Sequence, residues 1–170
     1  MNLIPNGDMT GTADDPYHLD YVRSLTLEQL LQHCERDCSD IELYIELGIR
    51  YVRLRRYNLA KEYYERAFQL DKCNPWLHLY VGNLYYAWKK YRVALKFFNI
   101  ALQLIPNNPC PYWCIADCFA AIGEGSRAEM FYKKATQVDP NCPDASCKLK
   151  KWYERQYEHI QNASETDNSD

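Results

Sequence analysis

Glycine is scarce in this sequence, with only 6 among 170 residues, and none forms the glycine-rich loop after a strand that cradles a phosphate. Histidine is scarcer still. His18, His33, His78 and His159 are scattered, and none stands beside residues that would organise a nucleophile or a metal. No stretch reaches the roughly 18 consecutive apolar residues of a membrane span. The first residues, MNLIPNGDMTGTADDPYHLD, lack the basic start and apolar run of a signal peptide. Net charge is close to balanced, at -3 with a sequence pI near 5.8, which gives no reason to expect a nucleic-acid partner. These absences argue against an enzyme, a cofactor, a metal or membrane insertion, and they lead us to expect a cytosolic protein.

That setting decides how the eight cysteines are read, because thiols stay reduced in cytosol. Cys110, Cys114 and Cys118 fall four apart and would line one helical face, while Cys34, Cys38, Cys73, Cys142 and Cys147 are dispersed. A structural zinc site shows a tight pair of cysteines followed by a second pair, and that pattern is missing. The thiols are therefore read as small apolar filler. Two basic clusters, one at Arg50, Arg53, Arg55 and Arg56 and the other at Lys89, Lys90 and Arg92, are read as solvated turns between helices.

What the sequence does have is apolar and aromatic residues, at 47% and 14%, enough to bury a core in a chain of about one domain's length. They recur at a fixed period. Gly48, Gly82 and Ala116 stand 34 residues apart, as do Ala60, Ala94 and Ala128, and Ala67, Ala101 and Ala135. Tyr51, Tyr85 and Phe119 keep the same step, with Tyr64, Phe98 and Tyr132, Leu47, Val81 and Ile115, and Leu70, Leu104 and Val138. Pro106 and Pro140 end the second and third units, where the first has Lys72.

Period and residue types resemble the tetratricopeptide repeat, a helix–turn–helix unit of about 34 residues. Each column has a physical reason. Small residues let the two helix axes of a unit approach to about 8–10 Å, aromatics fill the wedges between helices, and proline stops the second helix. The expected fold is all-α, a tetratricopeptide-repeat superhelix of three repeats at 41–74, 75–108 and 109–142. Gly123, Gly125 and Ser126 predict that the turn of the third unit is the loosest.

The flanks read as caps, which a solenoid needs because its terminal units otherwise expose an apolar face. Residues 21–40 are expected to form an N-terminal helix. Thr26 and Gln29 are spaced as a capping box there, and Leu27, Leu30 and Leu31 lie on one side. Residues 143–160 are expected to form a C-terminal capping helix, with Leu149 and Tyr153 in the repeat's columns and Lys150 in place of the small residue. Residues 1–20 and 161–170 are expected to be disordered.

The repeat resemblance implies that the first helix of each unit lines an inner groove. Its exposed positions are Glu42, Ile45, Ile49, Val52 and Arg53 in the first unit, and Trp76, Leu79, Asn83, Tyr86 and Ala87 in the second. The third supplies Cys110, Trp113, Asp117, Ala120 and Ala121. Most are apolar, and an apolar inner face on a water-soluble protein marks a partner site unless the N-terminal helix or a second copy fills it. The expected contact residues are Ile45, Ile49, Val52, Trp76, Leu79, Asn83, Tyr86, Trp113 and Asp117. Ile45, Ile49, Leu79, Tyr86 and Trp113 would be pocket walls, and Asn83 and Asp117 would bond the peptide backbone. Repeat proteins that grip acidic chaperone C-termini resemble one another in a clamp of Lys, Arg and Asn. Ile45, Ile49, Tyr80, Cys110 and Cys114 occupy those places here, so the carboxylate-reading donors are absent.

Three repeats with helical flanks resemble the class II chaperones of bacterial type III secretion, over roughly residues 25–155. The resemblance is sharpest in NPCPYWCIADCFAAIG, with Pro109, Pro111, Tyr112, Trp113, Ala116, Asp117 and Cys118, and looks nearest to versions from the chlamydiae. It implies a bacterial cytosolic chaperone that holds an extended segment of a hydrophobic translocator in the groove and keeps it soluble before export. It also implies a weak homodimer through the N-terminal helix, for which Leu27, Leu30 and Leu31 are available, although packing on the first repeat explains them equally well. The alternative is a generic repeat scaffold that joins folded partner proteins.

Overall fold

The computed structural model describes residues 18–36 and 39–167. The chain divides into two compact units, Met1–Lys72 and Cys73–Asp170. The first holds α1 (His18–Ser24), α2 (Leu27–Arg36), α3 (Ile41–Arg53) and α4 (Tyr57–Leu70). The second holds α5 (Pro75–Ala87), α6 (Tyr91–Leu104), α7 (Pro109–Ile122), α8 (Gly125–Val138) and α9 (Pro143–Asp167). No strand occurs among the described residues. Three helix pairs, α3/α4, α5/α6 and α7/α8, repeat one pattern at the period seen in the sequence, and the fold is the all-helical tetratricopeptide-repeat fold.

Each pair begins on a cap. The side chain of Asp40 accepts from the Glu42 amide, that of Asn74 from the Trp76 and Leu77 amides, and that of Asn108 from the Cys110 amide, at 2.8–3.2 Å. These bonds satisfy amide donors that the first turn of a helix leaves open. Pro75 and Pro109 follow their caps at the first helical position, where the missing N–H costs nothing.

The small residues work differently from the simple expectation that they face one another. A Cβ on Gly48 would lie 2.2 Å from Tyr64 Cε1, and one on Gly82 would lie 2.3 Å from Phe98 Cε1. The glycines of α3 and α5 therefore seat the aromatic rings of α4 and α6, where α7 has Ala116. Parallel rings close the other flank of each pair: Tyr51 on Tyr63 and Tyr85 on Phe97, with Phe119 tilted on Phe131, all at centroid separations of 5.4–5.5 Å.

The inter-helix turns share one geometry. Arg55, Lys89 and Gly123 all have positive φ, at 57°, 61° and 90°. In each, two backbone bonds close the turn: Arg55 and Arg56 amides to Val52 and Tyr51 carbonyls, Lys89 and Lys90 to Tyr86 and Tyr85, Gly123 and Glu124 to Ala120 and Phe119. The third turn, expected to be the loosest, thus carries the same bonds as its counterparts. Gly123 is the residue best suited to a left-handed position rather than a source of slack. Both basic clusters lie in or beside these turns, and Lys90 Nζ rests 3.5 Å from the centroid of the Trp88 ring.

The flanks depart from expectation in two ways. The single helix expected at 21–40 is two, α1 and α2, because the Thr26 side chain and Gln29 bond each other's backbone amides and start a new helix. At the other end α9 continues through residues 161–167, which were expected to be disordered. The expected disorder at 1–17 and 168–170, and Cys38, lie outside the described residues.

Candidate peptide-binding face

In the first unit α3 presents Glu42, Ile45, Ile49, Val52 and Arg53, and α1 lies against this helix. Arg50 donates from Nη2 to the Arg23 carbonyl and from Nε to Glu46, both at 2.8 Å. His18 Nε2 sits 2.8 Å from Asp40 Oδ2, and His18 is only 5% exposed. Burial pushes the Glu42 carboxyl up, with Asp40 adding to the effect and His18 and Arg23 opposing it. Ile45 is 4% exposed, so it is closed to a partner in this arrangement, which corrects its expected place as a pocket wall. Ile49 and Val52 are half-buried and remain partly available.

In the second unit the face is more open. Trp76 is 47% exposed, Asn83 and Ala87 are exposed, and Tyr86, Trp113 and Ala120 are half-buried. Leu79 does not join them. It is 5% exposed and packs with Ala94, Phe98, Ala101, Ile115 and Cys118, because its side chain fills the space between α5 and α7. Asp117 is not free to bond a peptide either. One carboxylate oxygen accepts the Tyr132 hydroxyl and the other accepts Lys148 Nζ at 2.5 Å, so it ties α8 and α9 to α7. The same bond and burial push the Tyr132 hydroxyl far up.

The three-cysteine column is core. Cys118 is fully buried, and Cys110 and Cys114 pack on the same cluster. Burial raises all three thiols, Cys110 to about 11 and Cys118 to about 12, which keeps them protonated and unreactive near neutral pH.

Sequence reasoning missed the pocket beside this face. Trp113, Asp117, Tyr132, Asp144, Cys147, Lys148, Lys151, Trp152 and Arg155 line a cavity of about 380 Å3 between the third pair and α9. Trp152 is 8% exposed and packs with Ala116, Ala128 and Tyr132, anchoring α9. Gly125 gives it room: a Cβ there would lie 3.6 Å from the indole, where the other units begin their second helix with Tyr57 and Tyr91. The absence of that tyrosine was the available signal that another ring fills the space.

The tetratricopeptide repeat family model matches residues 41–72. None of the curated proteins compared with the chain matches it. Among solved structures, the type III secretion chaperone SycD of Yersinia enterocolitica, in complex with a peptide of the translocator YopD, is 19% identical with a TM-score of 0.58. The match covers 68% of this chain and 93% of that one. The first repeat domain of Spaghetti (RPAP3), bound to the HSP90 peptide SRMEEVD, is 23% identical with a TM-score of 0.59 and coverage of 71% and 96%. MamA of Desulfovibrio magneticus RS-1 is 18% identical with a TM-score of 0.63 and coverage of 84% and 80%. At these identities the likeness establishes the fold.

Proposed function

We propose that this chain is a polypeptide-binding repeat protein that holds an extended apolar segment on the first-helix face of its second unit, as a type III secretion chaperone holds a translocator before export. The observation that carries the reading is that Trp76, Tyr86 and Trp113 in the second unit stay exposed or half-buried, although Tyr86 and Trp113 also lean on core clusters of that unit. The peptide carried by SycD supports the same mode, and the peptide on the RPAP3 domain shows that relatives of this fold also take other linear ligands. Affinity would come from burying ring and aliphatic surface, at about 25 cal/mol per Å2 of apolar area before the cost of ordering the peptide. The client would be a hydrophobic translocator, met in a bacterial cytoplasm.

Because Leu79 is core, substituting it would unfold the unit and test nothing. The informative variant is Trp76→Ala with Tyr86→Ala, both on the open face. Calorimetric titration with a short peptide of spaced prolines and leucines should show micromolar binding by the unmodified protein. The double variant should bind at least about tenfold more weakly, with its far-UV helicity kept. Equal affinity in both proteins would move the site off this face. Failure of the unmodified protein to bind any short peptide would favour a scaffold that joins folded partners.

A further inference from the structure

The cavity under α9 has a floor and a rim of different chemistry. Trp113, Tyr132 and Trp152 supply aromatic walls. Of the two carboxylates that line it, Asp117 already accepts from Tyr132 and Lys148, so its charge is answered within the protein. The rim carries Lys151 and Arg155, one helical turn apart on α9 and both exposed, and among the described residues neither has an ion pair. The other, Asp144, lies seven residues before Lys151 and eleven before Arg155 on α9, about 10 and 16 Å along the axis, and pairs with neither. One end of the cavity is therefore left with two unanswered cations beside aromatic surface. The charge of Arg155 also opposes the upward shifts of the Tyr86 and Tyr132 hydroxyls, and Tyr132 lines the same cavity.

We propose that this cavity is a second recognition subsite, which receives an acidic side chain of the bound polypeptide against Lys151 and Arg155 while an adjacent apolar residue lies on Trp113. This deepens the peptide-binding reading and rests on it for the apolar half of the ligand. The chemistry is the fork of an arginine and the point charge of a lysine meeting one carboxylate. A volume of about 380 Å3 accommodates one or two side chains and no folded surface. The preferred client segment is thus apolar with an aspartate or glutamate next to its last anchor, and an apolar segment without one binds less tightly.

The test uses acetylated, amidated peptides, so that no terminal carboxylate takes part. One carries spaced prolines and leucines alone; two others add a pair of aspartates at one end or the other, because the chain direction is open. Each is titrated by calorimetry at low and high salt into the full chain and into Lys151→Gln with Arg155→Gln, exposed substitutions whose helicity is checked. One acidic peptide is expected to bind the unmodified protein about tenfold more tightly than the neutral one, with the advantage lost in the double variant and at high salt. The neutral peptide should bind both proteins alike. Equal binding of acidic and neutral peptides, or an acidic advantage that survives the double variant, overturns the subsite and leaves the apolar face standing. A neutral peptide that fails to bind, beside an acidic one that needs Lys151 and Arg155, overturns the apolar reading and keeps the subsite. No binding by any peptide overturns both.

Discussion

In the first unit a helix of seven residues, α1, lies on α3 with His18 and Val22 as its buried side chains, and its further ties run through Arg23, Arg50 and Asp40 and through Tyr21, which meets His33 of α2. In the second unit α9, 25 residues long, is held by the buried indole of Trp152 and the buried Ala145, with Leu149 half-buried beside them. Both helices lie outside the repeats, yet one is secured by a single buried apolar side chain with polar and ring contacts and the other by a larger apolar cluster. Because stability within a fold follows local apolar burial, α1 is the segment of lower local stability and α9 belongs to its unit's cooperative core. The two flanking helices of this chain are thus held with different strength.

That contrast can be broken most forcefully at Trp152. Trp152→Ala should cost about 3–5 kcal/mol in urea denaturation of the second unit, while amide protection in α3 stays unchanged. Loss of less than a third of that amount would mean that α9 is not part of the core. The counterpart in the first unit is Val22→Ala, expected to cost about 1–2.5 kcal/mol. The loss should appear as faster amide exchange in α1 and around Ile45 rather than as a lower global midpoint. A fall in the midpoint for the whole unit would make α1 structural instead of a cover. The smallest effect compares the turns. Arg55→Gly and Lys89→Gly should each stabilise by up to about 1 kcal/mol, since a left-handed conformation strains a side-chain-bearing residue and Gly123 already relieves it in the third turn. No gain at Lys89 alone would assign the difference to its neighbour Lys90, whose ammonium lies on Trp88.

Much of the fold was legible because the repeat imposes the same packing three times over. Columns such as Gly48, Gly82 and Ala116 report one local constraint at three places, so the period stands out from the background. The caps Asp40, Asn74 and Asn108 keep the period too, and the Asn–Pro pairs at 74–75 and 108–109 could have revealed them. The candidate site was less legible because exposure depends on what packs beside a position, not on its place in the repeat. Leu79 and Ile45 occupy groove positions by count, yet one meets α7 and its core and the other lies in a helix against which α1 packs. Asp117 looked like a free acceptor because its partners, Tyr132 and Lys148, are 15 and 31 residues away and on different helices. Lys151 and Arg155 fall in the flank, outside any column, and only the seating of Trp152 brings them to the cavity.

The placement of the indoles has an optical consequence. All four tryptophans, Trp76, Trp88, Trp113 and Trp152, belong to the second unit, and the first has tyrosines and Phe68 but no tryptophan. Excitation at the red edge, where tyrosine scarcely absorbs, would therefore read the second unit and be nearly blind to events at α1. Within that signal Trp76 reports the open face, Trp113 the cavity wall, Trp152 the docking of α9, and Trp88 an ammonium poised above its ring. A tryptophan placed in α1 would give the first unit an emission of its own.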